Sequence, residues 1–95
     1  MSNRPSILIA DDHDLAREGL RALIERSGAY AVVAEACSGE EALALAAEHQ
    51  PDLALLDIRY AGGEIDGFAV ARSLCETQPQ TGVILITMHD SPAYL

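Results

Sequence analysis

Short, unbroken apolar runs, each followed by a stretch with helical spacing, recur along this chain and limit its fold more than any other feature. The first run is Ser6-Ile-Leu-Ile-Ala10, directly after Pro5; the second lies within Tyr30 to Ala36 and holds Val32 and Val33. The third is Leu53-Ala-Leu-Leu56 and the fourth Val83-Ile-Leu-Ile86. A strand with one wet face alternates apolar and polar residues, whereas a run apolar throughout is buried on both faces, as in a parallel sheet. From Asp12 to Ser27 the period changes. Ala16, Leu20, Leu23, Ile24 and Ser27 fall on one stripe of a predicted helix, with Arg17, Arg21 and Arg26 off it and Gly28 as its stop. Ser38 followed by Glu41 forms a capping box for a helix to about Gln50, which Pro51 ends. Asp66 can cap a third helix in which Phe68, Ala71, Leu74 and Cys75 share a face, ending before Pro79. Ser91-Pro92 has the form of a cap and first position of one more. The order β-α-β-α-β-α-β predicts an α/β fold, a parallel sheet with helices on both faces. Strand order does not follow from the alternation alone.

The 95 residues suffice for one core, and with no repeat or linker they read as a single domain, 1–95. Fifteen acidic residues against six Arg and no Lys give a formal charge of −9. Nucleic-acid binding needs a basic face, so this segment is a poor DNA or RNA binder by itself. The acidic excess suits a metal site or a basic partner, though a solvated acidic surface explains most of it. No apolar run approaches the roughly 18 residues that span a bilayer, and no secretory signal pattern opens the chain, so a cytoplasmic location is expected. Cys37 and Cys75 match no zinc or redox spacing and, with apolar neighbours, are expected to be buried free thiols.

The chemistry gathers at the ends of the apolar runs. Open α/β sheets bind ligands beyond the carboxyl ends of their strands. Asp11-Asp12 follows the first run, Asp57 the third and Thr87 the fourth, while the second ends at Ala36-Cys37 without a comparable group. One Asp after a buried strand is commonly a cap or turn residue. Three acidic positions and a Thr at matching strand ends are harder to assign that way. Carboxylates gathered in a partly buried pocket repel unless a cation or protons compensate, and an all-oxygen set with open water positions suits Mg²⁺. Such a site fits phosphoryl transfer, with Asp57 as nucleophile and Thr87 as a hydrogen-bond donor to a phosphoryl oxygen. His13 makes Asp11-Asp12-His13-Asp14 dense in ligands for a transition metal, but neighbours at a helix start are expected to point apart. His13 and Asp14 are therefore read as first-turn residues, His49 and His89 as surface residues, and Arg59 as offering its backbone carbonyl.

Ile7 to Leu20, Leu55-Leu-Asp-Ile-Arg59, Asp66-Gly67 and Ile84 to Asp90 together resemble response regulator receiver domains, most of all those with a C-terminal LuxR/NarL-type helix-turn-helix output domain. The resemblance implies a flavodoxin-like, doubly wound sheet with strand order 2-1-3-4-5, here lacking the fifth strand and last helix. It implies Asp57 as phosphoacceptor, Mg²⁺ held by Asp12 and Asp57 with Asp11 in support and the Arg59 carbonyl completing the set, and Thr87 as switch hydroxyl. A sensor histidine kinase would be the donor, and transcription regulation the output, with DNA bound through a further C-terminal domain.

The chain departs from the family pattern in three places. Tyr60-Ala61-Gly62 replaces the usual Met-Pro-Gly, the loop to Asp66-Gly67 is longer than usual, and the family's fifth-strand Lys has no counterpart, the chain holding no Lys. Ending at Leu95, the sheet would leave an apolar edge strand and a face covered by one helix. Either the polypeptide continues past Leu95, or a homodimer contact or exchanged element covers the patch. Two rivals stand beside the phosphoacceptor. One is a phosphorylation-incompetent interaction module. The other is a phosphatase of the haloacid dehalogenase type, built on Asp12-His13-Asp14 and a strand ending in Thr87, which gives Asp57 no role.

Overall fold

The computed structural model describes residues 4–60 and 65–86. Within them lie β1 (Ser6–Ala10), α1 (Asp14–Ser27), β2 (Ala31–Ala36), α2 (Gly39–His49), β3 (Leu53–Asp57), α3 (Gly67–Thr77) and β4 (Gly82–Ile86). All strand pairs are parallel, and the sheet order is β2-β1-β3-β4, the flavodoxin-like order without a fifth strand among the described residues. β1 and β3 are central, and their side chains are the driest. Leu8, Ile9, Ala54 and Leu56 are fully buried, each large one contributing about 1.5–3 kcal/mol relative to exposure. Leu8, Ala10, Ala54 and Leu56 face the layer made by α2 and α3, meeting Ala42, Ala46, Val70 and Leu74. The alternate residues Ile7 and Ile9 therefore point to the other face, where α1 lies against β1 and β2.

The helix signals act locally as the sequence predicts. Ser38 accepts the Glu41 backbone N–H at 3.1 Å, and the Glu41 carboxylate accepts from the Cys37 N–H at 2.6 Å, one residue upstream of a standard capping box. Asp66 accepts from the Ala69 N–H at 2.9 Å. Gly28 takes the left-handed conformation, φ 72°, that ends α1.

Several facing predictions are corrected. α1 contains no buried residue: Leu23, placed on the apolar stripe, is 64% exposed and Leu15 is 85% exposed. Arg17, placed off the stripe, has its side chain only 14% exposed. Its guanidinium reaches the Asp11 carbonyl after β1, Glu35 on β2 and Asp14 on α1, and it shares the half-buried side of the helix with Leu20 and Ile24, three and seven residues further on. In α3 the inward face runs through Gly67, Val70, Ala71 and Leu74, so the expected Ala71 and Leu74 do meet the core while Phe68, at the edge of that face, is 53% exposed. Cys75 turns outward, and Cys37 sits on the loop after β2; both thiols are free and exposed, not buried. α1 begins at Asp14, because His13 is still extended, φ −97° and ψ 113°. No helix among the described residues is long and apolar enough to cross a membrane. Ser91-Pro92 and His89 lie outside the described residues.

Candidate phosphoacceptor site

The strand register assembles the site. Ala10 pairs with Leu56 across the β1–β3 ladder, so the next residues, Asp11 and Asp57, leave the sheet side by side. Asp11 is 2% exposed and Asp57 6%. The Asp11 N–H still donates to the Ala36 carbonyl at 3.0 Å, which holds this carboxylate at the edge of the core. Asp12 follows on the turn into α1, its side chain 12% exposed. One donor atom from each of Asp11, Asp12, His13 and Asp57 falls within 4.8 Å of all the others. The three acidic residues read from separate parts of the sequence therefore share one pocket.

The electrostatics of that pocket are those of a site awaiting positive charge. Burial pushes the Asp57 carboxyl above its ordinary range, and the Asp11 charge pushes it further; the backbone N–H groups of Arg59 and Ile58 pull it back, and Asp12 adds a weaker push. Asp57 Oδ1 is buried and accepts no hydrogen bond from any described residue. A buried carboxylate oxygen left so is unfavourable unless an ion or proton meets it. Three carboxylates in one pocket fit a hard divalent cation.

Neighbouring groups fix the backbone around the carboxylates. Arg17 donates to the Asp11 carbonyl at 2.7 Å, to Asp14 at 2.7 Å and to Glu35 at 3.2 Å, and Arg21 reaches the other Glu35 oxygen at 2.8 Å. Tyr60 is buried, and its hydroxyl donates to the Ala10 carbonyl at 3.4 Å. Burial, reinforced by the Asp57 and Asp11 charges, raises the Tyr60 phenol well above its ordinary range, so it stays a neutral donor. The Gly67 N–H donates to the Ile58 carbonyl at 2.7 Å, tying the start of α3 to the residue after Asp57.

His13 corrects the expectation that its neighbours point apart. Its backbone N–H donates to Asp11 Oδ1 at 2.8 Å, a turn that folds the ring back over the carboxylates. Nδ1 lies 3.1 Å from Asp11 Oδ1 and 2.9 Å from Asp12 Oδ1. The hydrogen bond to Asp11, then the charge of Asp12, raises the imidazole above its ordinary range. The roles of Arg17 and Tyr60 were not read from the sequence; an Arg three residues after Asp14 was the available sign of the first, and nothing in local spacing signals the second. Arg59 is exposed on the loop after β3, and Thr87 lies outside the described residues.

A family model for the response regulator receiver domain matches residues 7–95, and the chain belongs to that family. Its relatives include the transcriptional regulatory protein NarL of Mycobacterium tuberculosis, 44% identical over 87 residues, which cover 92% of this chain and 39% of that protein. The positive alginate biosynthesis regulatory protein of Pseudomonas aeruginosa is 45% identical over 86 residues, covering 90% of this chain and 34% of that protein. Among solved structures, the receiver domain of Mycobacterium tuberculosis NarL superimposes with a TM-score of 0.85 at 41% identity, over 97% of this chain and 73% of that one. The chain thus spans little more than a third of the curated relatives it matches.

Proposed function

We propose that this domain accepts a phosphoryl group on Asp57 and thereby switches an attached or associated output. The observation that carries the reading is the buried Asp57 Oδ1, without a hydrogen-bond donor, facing two further carboxylates at the carboxyl end of the central strands. Asp12 and Asp57 would hold Mg²⁺, Asp11 would support it, and the Arg59 backbone carbonyl would complete the protein donors. Mg²⁺, when bound, supplies the positive charge that lets phosphoryl oxygens approach a cluster of carboxylates.

The chain's own residues do the rest. An Asp57 carboxylate oxygen attacks phosphorus in line, forming an O–P bond as the P–N bond of a phosphohistidine breaks. The electron pair leaves with the donor imidazole, which takes a proton from solvent, and an aspartyl phosphate remains. Tyr60 and the close-packed start of α3 keep water from the inner side of Asp57. Thr87, directly after the last residue of β4, would donate its hydroxyl to the new phosphoryl group. A histidine kinase supplies the donor in this reading. Transcription is the output, as the names of the relatives suggest.

The test is incubation with Mg²⁺ and acetyl phosphate, followed by intact mass. Gain of one phosphoryl group, abolished by Asp57→Ala and by chelation, is the expected result. No gain with Mg²⁺ bound would favour an interaction module without phosphotransfer. Phosphate-ester turnover that survives Asp57→Ala but not Asp12→Ala would favour the haloacid dehalogenase reading.

A further inference from the structure

We propose that His13 is a fourth protein ligand of the ion at this site, through Nδ1, and that the site therefore favours borderline transition cations over Mg²⁺ more than three carboxylates alone would. The inference rests on the reading that the acidic cluster holds a divalent ion, and adds the nitrogen donor. An octahedral ion about 2.1 Å from each donor sets adjacent donors about 3 Å apart. His13 Nδ1 stands 2.9 Å from Asp12 Oδ1 and 3.1 Å from Asp11 Oδ1, which is that spacing. All four donor atoms, Asp57 included, fall within 4.8 Å of one another, so modest contraction closes one coordination shell.

A second observation points into the same space: Asp57 Oδ1, on a residue 6% exposed, has no hydrogen-bond donor. The backbone also prepares the ring. The His13 N–H bond to Asp11 Oδ1 fixes the turn that carries Nδ1 to the carboxylates before any ion arrives. The imidazole side chain is 70% exposed, so its donor meets the carboxylates from the solvent side while Asp11 is buried. Imidazole suits Ni²⁺ and Zn²⁺, whereas carboxylates and water suit Mg²⁺ and Mn²⁺, and the order of affinities among transition ions rises from Mn²⁺ to Ni²⁺.

The experiment is calorimetric titration of the metal-free chain with Mg²⁺, Mn²⁺ and Ni²⁺ at about pH 8, well above the ordinary imidazole value because the carboxylates raise that of His13, together with electron spin-echo modulation of the Mn²⁺ form. His13→Ala is expected to weaken Ni²⁺ binding by about tenfold or more and Mg²⁺ by less than about threefold, in the range seen when an ordered metal-site partner is lost. A ¹⁴N coupling is expected in the Mn²⁺ spectrum of the unaltered chain and not in His13→Ala. Equal loss for Mg²⁺ and Ni²⁺, no loss for either, or no ¹⁴N coupling would overturn the proposal. So would Ni²⁺ binding that survives Asp57→Asn, which would place the ion elsewhere, for instance on His49. Mg²⁺ binding that depends on Asp57 in the face of those results would leave the acidic ion site standing and remove only His13 from it. If no divalent ion binds, both readings fall together.

Discussion

Among the described glycines, Gly67 is where replacement by alanine should do most damage. A Cβ at Gly67 would collide with the Asp57 carbonyl oxygen and lie 2.9 Å from Ile58 Cα and 3.0 Å from the Asp57 carbonyl carbon. All three are backbone atoms at the end of β3, held by the Gly67 N–H bond to the Ile58 carbonyl, so no side-chain rotation relieves the contact. Overpacking costs about 1–3 kcal/mol, and a backbone collision belongs at the upper end. Replacing glycine returns roughly 0.5–1 kcal/mol of chain entropy, leaving a net loss of about 2 kcal/mol. For a domain of this size that lowers Tm by roughly 8–16 °C. Gly39→Ala is the control. Its nearest contacts are Ile65 Cγ1 at 2.8 Å and Val70 Cγ2 at 3.0 Å, with the Ile65 carbonyl oxygen next at 3.1 Å, all looser than the Gly67 collision, so the expected cost is smaller, about 1 kcal/mol. Thermal and urea unfolding of the three proteins measures both effects. A Gly67→Ala protein within about 2 °C of the unaltered one, or less affected than Gly39→Ala, would refute the close-approach argument.

In the absence of divalent ions, Asp57→Asn should raise Tm at neutral pH. A carboxyl raised above its ordinary range stabilises the fold only while protonated, and that contribution is lost as pH rises through the raised value. The advantage of the Asn variant should open as pH climbs above the ordinary carboxylate range, and a flat difference from acid to neutral pH would contradict it. Mg²⁺ at about 100 times its Kd should add ~2.7 kcal/mol to the unaltered chain and far less to Asp57→Asn, a contrast that differential scanning fluorimetry reads directly. Arg17→Ala should cost about 1–3 kcal/mol in urea unfolding, since the Asp11 carbonyl and Glu35 lose a charged donor. Arg17→Lys should restore little of it, because one ammonium cannot reproduce the forked geometry; full rescue would show that charge alone matters. Ser38→Ala should cost about 1 kcal/mol through the lost cap of α2, and Ser38→Gly only a few tenths.

Local chemistry made much of this protein legible from its residues in order. Strands buried on both faces leave unbroken apolar runs, and caps such as Ser38, Asp66 and Gly28 act within one helical turn, so β1, α2 and the starts and stops of the helices could be read directly. The acidic residues were legible too, because each follows an apolar run whose direction in a parallel sheet is set. Tertiary structure decided what depends on distance through space. The β1–β3 register sets Asp11 beside Asp57, and no local pattern specifies which strands are neighbours. In α1 the helical period alone did not tell on which side of the Leu20–Ile24 stripe the contact lies: Arg17, held by Asp11, Asp14 and Glu35, falls on the covered side and Leu23 on the open one. In α3 Ala71 and Leu74 face the core as their spacing implied, but the helix also sets Gly67 against the Asp57 backbone and Val70 inward, which leaves Cys75 and Phe68 at the surface. His13 was misjudged for the same kind of reason. Direction around a helix holds only inside the helix, and His13 sits one residue before α1, in a turn shaped by a hydrogen bond to Asp11. Periodicity and capping are written into neighbours along the chain; convergence is written into contacts between segments, and only the folded coordinates contain it.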